Sequence, residues 1–238
     1  MGCAPSYTKD KVGELTVVQP VKGYRFSIDS LLLAEFAAPK AYDKILDLGC
    51  GSGIISLLIA KRFPEVKLVG VEIQEELALL AEENVKINHL EEQIEIIKGD
   101  LKEIKNYVQA GQFDYVVSNP PFRPIQSGRV CPDKGEAVAR HEIAADLEAF
   151  MDAARYALHP GGRLAIVYPA EMTARLIKSM CVKRLEPKRM EFVHPSQDKN
   201  ARMVLAEGCK DAGTEVKILP PIFLDCHPLQ GGRQTSQG

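Results

Sequence analysis

The ten residues from Lys44 to Gly53, KILDLGCGSG, constrain the fold more than any other stretch. Residues 44–48 read as a short buried strand, alternate glycines make a turn, and an apolar helix runs from Ile54 to Arg62 until Pro64 stops it. A strand feeding straight into a helix is half of a βαβ unit, and the pattern recurs. Strand 66–71 precedes a helix over about 74–88, and strand 94–97 precedes a short helix from 101. Strand 114–118 ends at Asn119-Pro120-Pro121; after a loop come a helix over 145–158, Gly161-Gly162 and a strand over 163–168. Such alternation makes the strands parallel, because each crossover returns over a sheet face. Candidate strands near 190–194, 202–206 and 216–219 can finish the sheet with antiparallel strands. The fold class is therefore α/β. It is a Rossmann-like, doubly wound, seven-stranded sheet, mostly parallel, with an antiparallel C-terminal strand and a short N-terminal extension.

A chain of 238 residues suits one large domain. The expected division is an extension or cap over 1–43, the sheet domain over 44–229 and a Gly/Gln/Ser-rich, disordered tail over 230–238. Hydrophobic residues at 45% and charged ones at 26% exclude disordered, collagen-like and coiled-coil chains. Six cysteines without a C-x-x-C pair, and no His at ligand spacing, argue against a zinc site or a disulfide scaffold and for a reducing cytoplasm. No apolar run reaches the roughly 18 residues of a membrane helix, and Met1 to Asp10 lacks the apolar segment of a secretory signal. Gly2 to Ser6 fits a myristoylation pattern beside Cys3, but so short a pattern also suits a frayed, unmodified terminus. Neither membrane nor metal is expected. A monomer is the expectation, although no motif fixes the oligomeric state.

A formal charge of −2 removes global basicity as an argument for nucleic acid, so such a partner needs a local patch. Residues 175–210 offer one, with nine bases against four acids, whereas 65–103 carry eleven acids and four bases.

Three carboxylates sit at the ends of successive strands. Asp47 precedes Gly49, Gly51 and Gly53, a G-x-G-x-G spacing that differs from the G-x-G-x-x-G of pyrophosphate-binding dehydrogenases. Glycines let a ligand approach the backbone, and an acid before them suits an ammonium group and repels a diphosphate. Glu72, nineteen residues past Gly53, can accept hydrogen bonds from both hydroxyls of an unphosphorylated ribose. Asp100, after Gly99, can take the amino group of an adenine. Ile73 and Leu101, next in the chain, are counted with them as cofactor contacts. Singly, Glu72 reads as a solvated loop acid and Asp100 as a helix cap. In order, amine, ribose and adenine describe S-adenosylmethionine.

Ser118-Asn119-Pro120-Pro121-Phe122 follows the fourth strand. Two prolines donate no backbone hydrogen bonds, so the turn is stiff and shows carbonyls outward. The Asn119 side-chain oxygen and the Pro120 carbonyl can accept both protons of an exocyclic amino group. A nitrogen whose lone pair is delocalised is a poor nucleophile, and gripping both N–H groups aims it and favours pyramidalisation. Pro121 stiffens the turn, and Phe122 stacks on the base, worth roughly 1–3 kcal/mol. The chemistry asks for no histidine, so His141 and His194 read as structural. Read blandly, the same turn is a buried Asn with a core Phe.

Asn119 to Phe122 resembles the N-P-P-[FY] motif of methyltransferases acting on adenine N6, guanine N2 or the glutamine amide. Upstream, the segment Gly23 to Ala34, GYRFSIDSLLLA, resembles the one preceding the glycine motif in bacterial adenine-N6 methyltransferases of valine tRNA, which act beside the anticodon. The resemblance extends to Ala139-Arg140-His141-Glu142 and Asn200-Ala201-Arg202, nearly the whole chain. It implies a class I S-adenosylmethionine-dependent enzyme whose Phe26, Ser27 and Asp29 close over the cofactor and whose partner is a tRNA anticodon stem-loop. Locally, Ser27 or Asp29 can instead cap a helix that Pro39 ends. Arg123, Lys134 and Arg140 can reach RNA phosphates, and Arg184, Lys188, Arg189 and Arg202 belong to the basic stretch.

Three alternatives remain open. Glutamine-N5 methyltransferases of release factors share this core but carry a long helical domain before it, where only 43 residues precede Lys44. A guanine-N2 enzyme acting on rRNA is the second, and a catalytically silent RNA-binding subunit, which would be expected to lose the Asn119 turn, is the third.

Overall fold

A computed structural model describes residues 7–21, 25–121 and 147–228. The first element is a hairpin in which β1 (Tyr7–Val12) pairs antiparallel with β2 (Leu15–Pro20). Helix α1 (Ile28–Phe36) follows and stops ahead of Pro39. Then come β3 (Lys44–Leu48), α2 (Ile54–Arg62), β4 (Lys67–Glu72), α3 (Glu75–Ile87) and β5 (Ile94–Lys98). A 3₁₀ turn over Leu101–Asn106 leads to β6 (Phe113–Ser118). Helix α4, described over 147–157, leads into β7 (Leu158–Pro169). Next are α5 (Thr173–Val182), β8 (Leu185–His194), β9 (Met203–Lys210) and the two-residue edge strands β10 (Lys217–Ile218) and β11 (Ile222–Phe223).

The sheet order is β10-β8-β9-β7-β6-β3-β4-β5, with β11 also on β8. Strands β3 to β7 are parallel, and β9 runs antiparallel to both β7 and β8. Of the three late segments, β9 supplies the antiparallel strand expected in a mostly parallel sheet. Helix α5 is a crossover, which returns the chain in the direction of β7, so β8 keeps the common direction and β10 and β11 pair parallel with it. Chain order reverses between β3 and β6, whose ends are paired through Leu48 and Ser118. In such sheets ligands bind outside the strand carboxyl ends at this switch point.

Alternate strand residues feed two cores, as the period of two requires. Ile45, Tyr115, Val117 and Ala165 pack with Leu32 and Leu33 of α1 and with α2. Leu46, Leu48, Val116 and Ile166 pack with Phe150 and Met151 of α4 and with Leu176 of α5.

Two connections bind the N-terminal segment to this sheet. On α3, Asn84 and Asn88 lie one turn apart and act as a strand would toward β2. The Asn84 Oδ1 accepts from Val18 N (2.6 Å) and its Nδ2 donates to Val18 O (2.9 Å), while Asn88 does the same to Thr16 at 2.9 and 2.8 Å. At the other end of α1, three arginines donate to carbonyls that a helix leaves unpaired. Arg62 reaches Glu35 O (2.7 Å), Arg189 reaches Phe36 O (2.5 Å) and Arg163 reaches Ala38 O (2.9 Å). Positive charge there also suits the negative end of the helix dipole.

Candidate active site

The glycine turn leaves β3 with Gly49, Gly51 and Gly53 all left-handed, at φ of +71°, +57° and +84°. Gly49 N and Cys50 N both donate to Val71 O of β4, at 2.9 and 3.1 Å, which pins the turn over the neighbouring strand. Gly53 is the N-cap of α2, and a Cβ there would lie 3.3 Å from that of Ala81, so glycine serves both the backbone angle and the approach of α3.

Under the turn two carboxylates are buried. Asp47 is 0% exposed; its Oδ2 accepts from the Ser56 hydroxyl at 2.8 Å, and its Oδ1 has no partner among the described residues. Burial raises its pKa to about 7, Ser56 opposes the rise and the negative charge of Glu72 adds to it. Glu72 is 4% exposed and shapes the turn: its Oε2 accepts from Gly51 N (2.9 Å) and its Oε1 from Gln74 N (2.8 Å). Oε1 also accepts from Gln74 Nε2 at 3.4 Å, and Oε2 retains a lone pair for a ligand hydroxyl. Beside it Ile73 is 57% exposed, an apolar surface next to a buried acid.

Asp100, half-buried after β5, accepts from Lys102 N at 2.9 Å and so caps the 3₁₀ turn. Leu101 is half-buried and packs on the second core.

Asn119 leaves β6 beside the glycine turn. Ser118 holds the two strand ends together by donating its hydroxyl to Leu48 O at 3.0 Å. The Asn119 Nδ2 donates to the Ser30 hydroxyl of α1 at 3.0 Å. Pro120 is buried and Pro121 exposed. Phe122, Arg123, Lys134, Arg140, His141 and Glu142 lie outside the described residues, as do Gly23 and Tyr24.

The segment expected to close over the cofactor is anchored to the hairpin: Phe26 N donates to the Gln19 Oε1 at 3.2 Å, and Phe26 packs on the α1 core. Ser27 occupies the N-cap of α1 without making the side-chain cap. Its hydroxyl instead bonds the Asp29 carboxylate, and its carbonyl accepts from Ser30 N at 3.2 Å. Burial raises the Asp29 pKa, against the Ser27 hydrogen bond and the nearby charge of Arg202.

The basic residues separate. Arg202 precedes β9, level with the carboxyl ends of β7 and β8, on the side of the sheet where Asn119 lies. Arg184 and Lys188 lie toward the amino end of β8. Arg184 pairs with Asp211 at 3.0 Å, and Lys188 donates to Gly213 O. Arg189 corrects the expectation of an RNA contact. Its guanidinium pairs with Glu207 at 3.1 Å and stacks on Phe36 at 4.1 Å, because the strand period turns it inward beneath α1. His194 bonds Lys199 O (2.8 Å) and packs on Phe223.

Ser30, Ser56 and Asn84 escaped the sequence reading. Only Asn84 carried a local signal, as a polar residue on the apolar stripe Leu77, Leu80, Ala81, Val85 of α3. The two serines matter through contacts that only the fold creates. No cluster of three or more potential metal ligands occurs among the described residues, and no described helix is long and apolar enough to cross a membrane.

Comparison with known proteins places the chain among methyltransferases. The family model for the methyltransferase small domain matches residues 25–186. The tRNA1(Val) (adenine(37)-N6)-methyltransferase of Porphyromonas gingivalis is 32% identical over 216 residues, 87% of this chain and 83% of its own. The like-named protein of Parabacteroides distasonis is 30% identical over 179 residues, covering 75% and 74%. Among solved structures, a predicted O-methyltransferase from Agrobacterium tumefaciens shares the fold with a TM-score of 0.65 at 19% identity, over 82% of this chain and 87% of that one. The geranyl diphosphate C-methyltransferase of Streptomyces coelicolor, in complex with S-adenosyl-L-homocysteine, shares it at 0.55 and 12% identity, over 77% and 75%. The residues present fit such a cofactor: a buried carboxyl group with one oxygen unpartnered among the described residues, three left-handed glycines and a second carboxylate whose Oε2 keeps a lone pair. The chain belongs to the methyltransferase small domain family, among the relatives named as tRNA1(Val) adenine-N6 methyltransferases, and is an S-adenosylmethionine-dependent methyltransferase.

Proposed function

We propose that the chain methylates the exocyclic N6 amine of an adenine in tRNA, beside the anticodon, in the cytoplasm. The observation that carries this reading is the Asn119 side chain, set at the switch point with its nitrogen on Ser30 and its oxygen without a hydrogen-bond donor among the described residues. Bound S-adenosylmethionine supplies a methyl group activated by positively charged sulfur. The carboxylate of Asp47, the turn of Gly49, Gly51 and Gly53, Glu72, Ile73, Asp100 and Leu101 hold it, and Phe26, Ser27 and Asp29 cover it.

The remaining work falls to the catalytic turn. Asn119 Oδ1 and the Pro120 carbonyl accept the two N–H groups of the amine, drawing its lone pair out of conjugation and toward the donor. No strong base is required, since the nitrogen grows more acidic as it gains the methyl group. A base inside a stack is out of reach, so the adenine must be swung out, and a loop base is partly free already. Arg202 lies where a backbone phosphate would follow, and Arg123 and Arg140 are assigned the same role. Incubating the full chain with labelled methyl donor and total tRNA, total rRNA or protein extract tests the reading. Nucleoside mass spectrometry should find 6-methyladenosine in tRNA; 2-methylguanosine in rRNA or methylglutamine in protein would replace it.

A further inference from the structure

We infer that Ser30 is a positioning residue for the reaction, holding the Asn119 amide at the catalytic turn with its nitrogen on α1; the inference rests on the role proposed for Asn119. The two ends of a carboxamide have nearly the same shape, so packing alone does not choose between them. Only one end is useful, because an amine N–H needs an acceptor. In the structure the Asn119 Nδ2 donates to the Ser30 hydroxyl oxygen, so the acceptor end of the amide is the one left for the amine. Ser30 is 0% exposed and lies 3.0 Å from the Asn119 nitrogen, so removing its hydroxyl would take this anchor from the amide in a place water cannot repair.

The support behind Ser30 is rigid. Leu32 and Leu33 of α1 are fully buried, and Arg62, Arg163 and Arg189 anchor its far end. Ser118, one residue before Asn119, is tied to Leu48, so both ends of the Ser30–Asn119 bond belong to fixed elements. Helix α1 thereby contributes to the catalytic turn although 89 positions separate the two residues.

The test compares Ser30→Ala, Ser30→Thr and Ser30→Val in the full chain, with the tRNA that accepts methyl groups. Thr and Val have the same shape and differ in the hydroxyl, so Thr separates size from hydrogen bonding. Ser30→Ala and Ser30→Val should lower kcat at least tenfold with donor Kd within about twofold of wild type, and Ser30→Thr should exceed Ser30→Val by the same factor. In single-turnover assays, Ser30→Ala should cost nothing further in an Asn119→Ala background. Wild-type kcat in Ser30→Ala, a parallel loss of donor affinity, equal rates for Thr and Val, or an additive loss in the double variant would overturn the inference while leaving Asn119 its role. Full activity in Asn119→Ala would instead remove the role itself.

Discussion

Asp47 gives one carboxylate oxygen to the Ser56 hydroxyl, at 2.8 Å, and leaves the other without a partner. Both oxygens are sealed beneath the glycine turn, so the folded chain favours a protonated Asp47 up to about pH 7. The folded state then binds more protons than the unfolded one between the ordinary value, 3.8, and about 7. Stability of the ligand-free protein should accordingly fall as pH rises through that window, and level off above it. A cationic donor favours the ionised form, so its affinity should weaken as pH drops below 7, approaching tenfold per unit. Calorimetric titrations across pH 5 to 8 check this, with Asp47→Asn expected to flatten both profiles and to bind donor weakly throughout.

RNA affinity is expected to follow the sheet's carboxyl end. Arg202→Ala should weaken tRNA binding and reduce the salt slope by about one unit. Neutralising Arg184 and Lys188, toward the amino end of β8, should leave the slope unchanged. Filter binding over a range of salt concentrations distinguishes the two.

Glu207 gathers Arg189 (3.1 Å), Arg163 (3.7 Å) and the Tyr115 hydroxyl (2.5 Å) beneath α1. Burial and this carboxylate raise the Tyr115 pKa, so the phenol stays a donor. Glu207→Gln keeps an acceptor for Tyr115 but takes the counter-charge from the half-buried Arg189 and leaves Arg163 with Asp43 alone. Denaturant unfolding should show a loss of about 2–4 kcal/mol.

Asn84 links three segments, since its Nδ2 donates to Ser52 O of the glycine turn at 2.9 Å as well as to Val18. Asn84→Ala leaves those backbone groups unpaired and should cost about 1–3 kcal/mol. Hydrogen exchange at Val18 should accelerate, and donor affinity should fall because the turn loses a support.

How much of this was legible beforehand follows from range. The strand–turn–helix grammar around Gly49 to Gly53 is local, and it placed β3 to β6 within a residue or two. The direction of β8 was not legible because it depends on α5 acting as a crossover, a tertiary fact. Asp47, Glu72 and Asn119 were readable because motif spacing sets them at strand ends. Their partners Ser56, Gly51 N and Ser30 follow from how helices dock. The inward turn of Arg189 was hidden because charge counting ignores which face of a strand a residue occupies, and the docking of the β1–β2 hairpin was hidden because the amides that hold it, Asn84 and Asn88, lie far along the chain.

The most direct measurement pairs donor calorimetry with turnover on tRNA for Asn119→Ala. The account predicts donor affinity within about twofold of wild type and turnover reduced at least a hundredfold, since one acceptor for the amine is gone. Undiminished turnover would contradict it, and so would a donor affinity that falls in step with the rate.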